Sequence, residues 1–453
     1  MQVIKRDGKK EDFNYSKIEK VLEFACPNED DRKEFLNDLK INIKNDMNTQ
    51  EIHRTVTKLA VEKITVYSTR WDAVASKLYL YNLIKKASLN RNYNNYGYGS
   101  FYKLIVLLSE QNLYHSDILK NYSENDINEL ESYMVHDRDF LFTYAGIKTF
   151  TERYLVKGKN QEVLELPQEA YMGIAMFLSL NEKPIERQEW VKKFYDVLSL
   201  HKMTVATPTM SNARKPLNQL SSCFVGTMSD SLESIYNVNE LFAQVSKYGG
   251  GMGIYVGKVR ATGSDIRGFK NTSGGVIPWL RLINSTVNAV DQLGVRSGSC
   301  SITLDVWHRD IHDFLQLKLN VGDERKKAHD IFPAVSIPDV FMQQVKKNGK
   351  FYLFCPHEIQ TVMGFNLEDF WGDEFEVKYF QCVNNANLKK EEVSARDIMK
   401  EIIKSATESG GPFLFYRDTV NKMNPNKHVG MIYSSHRCME VLKNMKPNGP
   451  LTT

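Results

Sequence analysis

Ile18, Val21, Leu22 and Ala25 recur three and four positions apart, which predicts one apolar face of a helix early in the chain. Ahead of it, VIKRDGKKEDFNY is strand-like, and two further helical patterns follow, so residues 1–90 read as one small module. Asn48 to Glu51 and Thr69 to Asp72 have the polar-x-x-acidic spacing of capping boxes, each before an apolar periodic run. Both predict helix starts. From 91 to 220 the pattern stays helical, with Tyr and Leu recurring through FYKLIVLLSEQNLY and EWVKKFYDVLSLHKM and no strand-like alternation. After SSCFVG the texture changes. Glycines cluster, and SITLDV, PAVSI, FYLFC and PFLFY alternate with amphipathic helices, which predicts an α/β region.

Composition narrows the classes. At 453 residues, with 42% hydrophobic and 25% charged positions, the chain reads as a multi-domain globular protein. Lys and Arg number 59 against 55 Asp and Glu, and a formal charge of +4 does not make a nucleic-acid surface, so phosphate recognition must be local. No run of about 18 apolar residues is free of charge, and the first residues, MQVIKRDGKKEDFNY, are charged where a signal peptide is apolar. Neither a membrane partner nor a leader is expected, and a cytoplasmic location follows. The six cysteines, at 26, 223, 300, 355, 382 and 438, include no CxxC pair or other zinc-like spacing. Reduced, mostly core thiols are expected, with no metal ligands on this chain.

Several segments could carry chemistry. KYGGGMGIYVGKVRATGSDIRG, residues 247–268, invites a phosphate-loop reading because bare glycine backbone approaches phosphates closely. A Walker loop ending at Gly257-Lys258 needs Gly at 252, which is Met, and Ser or Thr at 259, which is Val. A dinucleotide fingerprint needs a preceding strand, whereas Ile235, Val238, Leu241, Phe242 and Val245 spell a helix. The glycines alone then predict a helix stop and tight packing. Arg260, Arg267, Lys270 and Arg296 lie among Gly, Ser and Thr, where they are either solvated loop charges or phosphate donors. Asp230-Ser-Leu-Glu233 reads as a capping box. Cys438 has Glu440 two residues on, a thiol and carboxylate that share a face if the backbone is extended.

The order of motifs decides between these readings. VIKRDGKKEDFNYSKI, TQEIHRTV at 49–56 and the lysines at 85 and 86 resemble the ATP-cone of ribonucleotide reductases. ATPTMSNARKPLNQLSSC at 206–223, the glycine and arginine loops, and LGVRSGSCSITLDVWH at 293–308 resemble the class I large subunit in order and spacing, up to about residue 440. The resemblance implies an ATP-cone at 1–90, a helical N-terminal domain at 91–220, the first half of a ten-stranded α/β barrel at 221–440, and a divergent tail at 441–453. It implies that Cys438 becomes a thiyl radical that takes the 3′ hydrogen of a ribonucleoside diphosphate, that Glu440 takes the 3′-hydroxyl proton, and that Cys223 is one of two reducing thiols. Thr207 and Ser222 would contact substrate. Asp230, Arg260 and Arg267 would form the specificity site, with the loop of Arg296 relaying its state to the substrate. In the cone, Lys5, Glu11, Asn14, Lys17, Thr49, His53 and Lys85 would contact an adenine nucleotide.

The sequence departs from the family at His436, where the family has Asn two residues before the radical cysteine. It also departs where VLKNMKPNGPLTT follows the cysteine loop. A half-barrel leaves an open sheet edge and apolar face, so a complementing C-terminal large-subunit chain is expected. Further expected partners are a small subunit whose metal generates the radical, a thioredoxin- or glutaredoxin-like reductant, ATP and deoxynucleotide effectors with Mg, and further copies in an oligomer. The alternatives are a non-catalytic, nucleotide-binding regulatory protein that keeps the cone and effector loops, and an inert truncation product.

Overall fold

The stripe of Ile18, Val21, Leu22 and Ala25 lies on helix α1 (Tyr15–Ala25), whose Leu22 and Ala25 are buried while Ile18 and Val21 pack partly against the same core. The computed structural model describes residues 2–5, 9–292, 297–439 and 442–445, in two units, Met1–Leu220 and Ser221–Thr453. In the first, strands β1 (Gln2–Ile4), β2 (Lys10–Asp12) and β3 (Met47–Asn48) form a sheet of order β2-β1-β3, antiparallel on one side and parallel on the other. Helices α2 (Glu29–Asn42), α3 (Thr49–Glu62) and α4 (Arg70–Asn90) complete the module.

Asn48 caps α3 as its spacing predicts: its side chain accepts from the Glu51 amide at 2.8 Å, and Glu51 accepts from the Asn48 amide at 3.0 Å. Thr69 does not make the corresponding bond, because its backbone is already helical and the Asp72 carboxylate is turned to the Tyr144 amide at 3.3 Å. Helix α4 serves two cores. Its Trp71, Val74 and Leu78 pack into the module, and its Leu80, Leu83 and Ala87 pack into the helical core that follows. That second core surrounds a helix at Pro167–Leu178, buried along nearly its whole length. Its charges are paired: Arg214 holds Glu165 through Nε at 2.6 Å, and Arg91 holds Glu169, with all four side chains out of water.

The second unit is built on five parallel strands in the order β10-β7-β6-β5-β4, namely β4 (Cys223–Thr227), β5 (Gly251–Tyr255), β6 (Cys300–Asp305), β7 (Phe332–Ile337) and β10 (Phe413–Tyr416). An antiparallel pair, β8 (Lys350–Leu353) and β9 (Glu391–Ser394), lies between β7 and β10 in sequence. The glycine run stops the preceding helix at Lys247, with Gly249 at φ 90°, and packs tightly, as expected; it then also enters the sheet as β5. The helix before it, Leu232–Lys247, matches its predicted face. Alternation separates the two faces of the sheet. Phe224, Met252, Ile254, Cys300, Ile302, Leu304, Val335 and Ile337 join the core formed with the helices. The opposite face carries smaller and more polar side chains, which leaves room for chain to lie across it. Among the described residues no helix is long and apolar enough to cross a membrane.

On that polar face the ends of the strands are tied by buried charge. Arg417, just after β10, meets Asp305 of β6 at 2.7 Å, and Asp305 also accepts from the Tyr255 hydroxyl. Arg417 also donates to the carbonyls of Phe370 and Glu368. Beside this pair, Lys258 bonds Asp369 at 2.7 Å and lies 3.8 Å from Glu368, one of whose carboxyl oxygens has no hydrogen-bond partner among the described residues.

Burial pushes the Glu368 carboxyl up to about 7 against the opposing pull of Lys258. Folded protein therefore keeps a proton that the unfolded chain releases above the ordinary carboxylate range, and stability from this group is present at low pH and lost as pH rises toward 7. Glu368→Gln is expected to flatten this loss, gaining on the order of 2 kcal/mol relative to wild type between pH 5 and pH 8. Urea unfolding at the two pH values measures it.

Candidate functional site

Cys223, Val225 and Thr227 of β4 pair with Gly251, Gly253 and Tyr255 of β5, so the thiol of Cys223 stands on the polar face beside two positions without side chains. The segment 431–438 crosses the sheet there. A Cβ on Gly253 would lie 2.0 Å from the Ser435 carbonyl oxygen and 2.9 Å from the His436 Cα, and one on Gly251 would lie 3.3 Å from the Arg437 Cβ. Glycine is needed at 253 for this approach, whatever its dihedral angles. Met431, Tyr433 and Met445 pack on Val225 and Tyr255, and Ser301 of β6 donates to the His436 carbonyl at 3.4 Å. Arg437 bonds the Ser299 hydroxyl and stacks over Phe332 at 4.7 Å.

This crossing brings Cys223, His436 and Cys438 together, with the sulfurs and an imidazole nitrogen within 4.8 Å of one another. Cys223 is partly buried, His436 is buried and Cys438 is exposed. The Ser222 hydroxyl lies 3.3 Å from the Cys223 sulfur, and Arg437 Nη1 donates to the Cys438 sulfur at 3.5 Å. The extended backbone assumed for Cys438 and Glu440 is not what forms. Arg437 and Cys438 sit in a turn, Met439 has φ 68°, and the His436 Nδ1 accepts from the Cys438 amide at 3.0 Å. Glu440 lies outside the described residues, as does Arg296.

A second cluster lies at the start of a hairpin. Ser231, not Asp230, caps the helix after β4, its hydroxyl accepting from the Ser234 amide at 3.1 Å. Asp230 is thereby left to bind Arg260, accepting from its backbone amide at 3.1 Å and from its Nε at 2.8 Å. Arg260 Nη1 reaches the Asp265 carbonyl at 2.5 Å, inside the hairpin whose tip is Ile266–Phe269. At the tip, Arg267 with φ 52° and Gly268 with φ 82° make a turn with both central residues left-handed, a conformation that suits glycine and costs arginine. Sequence reasoning missed Asp310, whose buried carboxylate receives the Thr262 amide at 2.9 Å and the Val276 amide at 3.0 Å, closing the hairpin from both ends. An Asp before a short helix carries no signal of such a role.

In the first unit, all seven residues expected to meet an adenine nucleotide, Lys5, Glu11, Asn14, Lys17, Thr49, His53 and Lys85, line one cavity of about 900 Å³. Glu11 bonds Lys5 at 2.7 Å and Lys17 at 3.1 Å, and these two cations hold its carboxyl below the usual range. Tyr81 of α4, and Tyr96 under the Lys85 ammonium at 5.1 Å, add aromatic surface that the motif did not name. Cations for phosphate, aromatic faces for a base, and a carboxylate together fit a nucleotide. Thr207 opens the helix Thr207–Asn212 of the first unit, 3.5 Å from the Tyr154 hydroxyl, while Ser222 precedes β4 in the second.

Comparison with known proteins agrees with this division. Residues 221–450 match the family described as ribonucleotide reductase, barrel domain, residues 140–218 the ribonucleotide reductase all-alpha domain, and residues 1–95 the ATP cone domain. The ribonucleoside-diphosphate reductase subunit alpha of Treponema pallidum is 47% identical over 390 residues, 86% of this chain and 46% of that protein. The subunit of the same name from Helicobacter pylori strain J99 is 39% identical over 449 residues, 98% of this chain and 55% of that one. Ribonucleoside-diphosphate reductase large chain 2 of Saccharomyces cerevisiae is 33% identical over 462 residues, 99% and 50% respectively. The chain thus spans about half the length of these relatives.

The approach of segment 431–438 to β5 can be tested by cross-linking. Treatment with diamide should join Cys223 to Cys438, whose sulfurs need only close to about 2 Å, and digestion with mass spectrometry reads the linked peptides. Gly253→Val should reduce that product several-fold. An equal yield in the variant would mean that the sheet crossing does not hold the two thiols together.

Proposed function

The chain belongs to the ribonucleotide reductase large-subunit family, and from that premise we propose that it carries the nucleotide-regulated, N-terminal part of an enzyme reducing ribonucleoside diphosphates to deoxyribonucleotides. The observation that carries this reading is the meeting of Cys223 and Cys438 on the polar face of a parallel sheet. Two thiols so placed suit a radical reduction. The Cys438 sulfur, once oxidised by one electron with loss of its proton, takes the 3′ hydrogen atom of the ribose and later returns one, while Glu440 accepts the 3′-hydroxyl proton. Cys223 and a second thiol give two electrons to the 2′ carbon as its hydroxyl leaves as water, and end as a disulfide that a thioredoxin- or glutaredoxin-like protein reduces. Thr207 and Ser222 hold substrate in this reading.

The domain limits proposed are 1–90 for the cone, 91–220 for the helical domain, 221–440 for the half-barrel and 441–453 for a divergent tail. Asp230, Arg260 and Arg267 receive a deoxynucleotide or ATP with Mg, and the loop of Arg296 passes that state to the substrate. The pairing of Arg260 with Asp230 and with the hairpin backbone supports this, because a phosphate competing for the guanidinium releases both contacts. Among the described residues the sheet ends at β4 and β10, and Leu414 and Tyr416 of β10 are exposed. We place the remaining strands of a ten-stranded barrel there, contributed by a complementing C-terminal segment or chain. The radical comes from a small, metal-containing subunit, the assembly is oligomeric, and its compartment is the cytoplasm. A regulatory protein that only binds nucleotides is the second reading, favoured by a cone cavity complete within the first unit.

Two experiments test these assignments. In the chain itself, replacing Lys5 and Lys17 together by Ala should weaken ATP binding in calorimetry by roughly 10-fold or more, the loss expected for charge-assisted phosphate contacts. In the enzyme reconstituted with the complementing segment and small subunit, Cys438→Ser should abolish turnover, and Arg260→Ala should remove the effector-dependent choice of base. Nucleotide binding without turnover in every reconstitution would leave the regulatory reading standing.

A further inference from the structure

We propose that Cys223, His436 and Cys438 form a binding site for one thiophilic cation, Zn²⁺ or another soft metal, with two thiolate sulfurs and one imidazole nitrogen as ligands. This site has no counterpart in the spacing of the cysteines along the chain, since Cys223 is brought to the His436-Arg437-Cys438 turn only by the crossing at Gly251 and Gly253.

Geometry is the first support. The three ligand atoms already lie within 4.8 Å of one another, and a tetrahedral zinc centre needs roughly 3.5–3.8 Å between such ligands. Rotation of the exposed Cys438 side chain in its turn can close that difference without moving the sheet. The donor set is the second support: two sulfurs and an imidazole select zinc or monovalent copper over magnesium or calcium, which take oxygen ligands. With three protein ligands, the fourth position stays open to water or an anion. The imidazole is buried, and its Nδ1 accepts from the Cys438 amide, so coordination replaces that bond. Either Nδ1 gives its lone pair to the metal, or Nε2 does so and the proton moves to Nδ1. Arg437 Nη1 lies 3.5 Å from the Cys438 sulfur and is the donor that a metal at that sulfur would displace or share.

The other cysteines are poorer competitors. Cys26, Cys300, Cys355 and Cys382 are buried, and burial pushes the thiols of Cys26 and Cys300 up and that of Cys382 to about 12. Binding itself rests on this geometry alone. If the two thiols also perform the reduction proposed above, an occupied site withholds both from it, and removal of the metal by a chelator restores them.

Cobalt(II) added to the reduced, purified chain is the probe. One equivalent per chain should give the near-ultraviolet thiolate-to-cobalt band and the intense visible bands of a tetrahedral site, and one equivalent of Zn²⁺ should abolish them. Cys223→Ser and Cys438→Ser should each lose the bands. His436→Asn should weaken binding by at least the ~10–100-fold that even an outer-shell change costs. Cys355→Ser should leave the bands unchanged, and circular dichroism checks that each variant is folded. Bands absent from the wild-type chain, or retained in either Cys223→Ser or Cys438→Ser, would overturn the proposal. Neither result depends on turnover, so the reductase reading stands or falls separately.

Discussion

The second unit depends on a constraint of a few ångströms: a strand of the sheet must present no side chain where another piece of backbone crosses it. Gly253 meets that constraint, with the Ser435 carbonyl where its Cβ would be. Because β5 alternates Met252 and Ile254 toward the helices with Gly251 and Gly253 away from them, the same five residues build the core and clear the path. The outer half of the pattern pays with weaker strand propensity, and packing of Met431 and Tyr433 on Val225 and Tyr255 offsets it. The position of His436 and Cys438 over Cys223 is a consequence of that exchange.

Charge is handled in opposite ways at the two sites. Around the sheet, Arg417 and Asp305 are fully buried, and each is held by further hydrogen bonds from Tyr255 or to backbone carbonyls. A buried pair of this kind adds little net stability over an apolar substitute, but losing one partner costs about 3–5 kcal/mol, so it fixes the arrangement of strand ends. In the cone, Lys5, Glu11 and Lys17 are exposed enough that exchanging one partner for another costs little. Rigid pairs tie the strand ends together, and exchangeable ones line the cavity.

What was legible in the sequence follows the range of the interactions. The α1 stripe, the Asn48 cap and the helix before β5 depend on neighbours within a few residues, and they form as their spacing predicts. Thr69 and Asp230 fail as caps for reasons outside their own turns: Asp72 is drawn to Tyr144, and Ser231 is one residue closer to the helix. The family fold, a helical region with a cone followed by parallel α/β, was legible because the motifs come in order. The seven cone positions meet in one cavity although they come from β1, β2, α1, α3 and α4 and their flanks. The role of Asp310 was not legible, and Cys223 and Cys438 were assigned to one site by the family resemblance alone, without the place of His436 between them. Asp310 and this cluster join segments that periodicity and spacing treat as unrelated.

Helix α4 has a mechanical meaning beyond its place in the core. Its first half is packed into the cone, its second half into the helical domain, and Tyr81, Lys85 and Leu89 run along the cavity wall on the same rod. A helix of 21 residues, about 31 Å long, cannot melt at one end while its other end stays docked without losing much of what holds both. The cone and the helical domain therefore share one foldon, and a nucleotide held by the cavity protects the amide hydrogens of both from exchange.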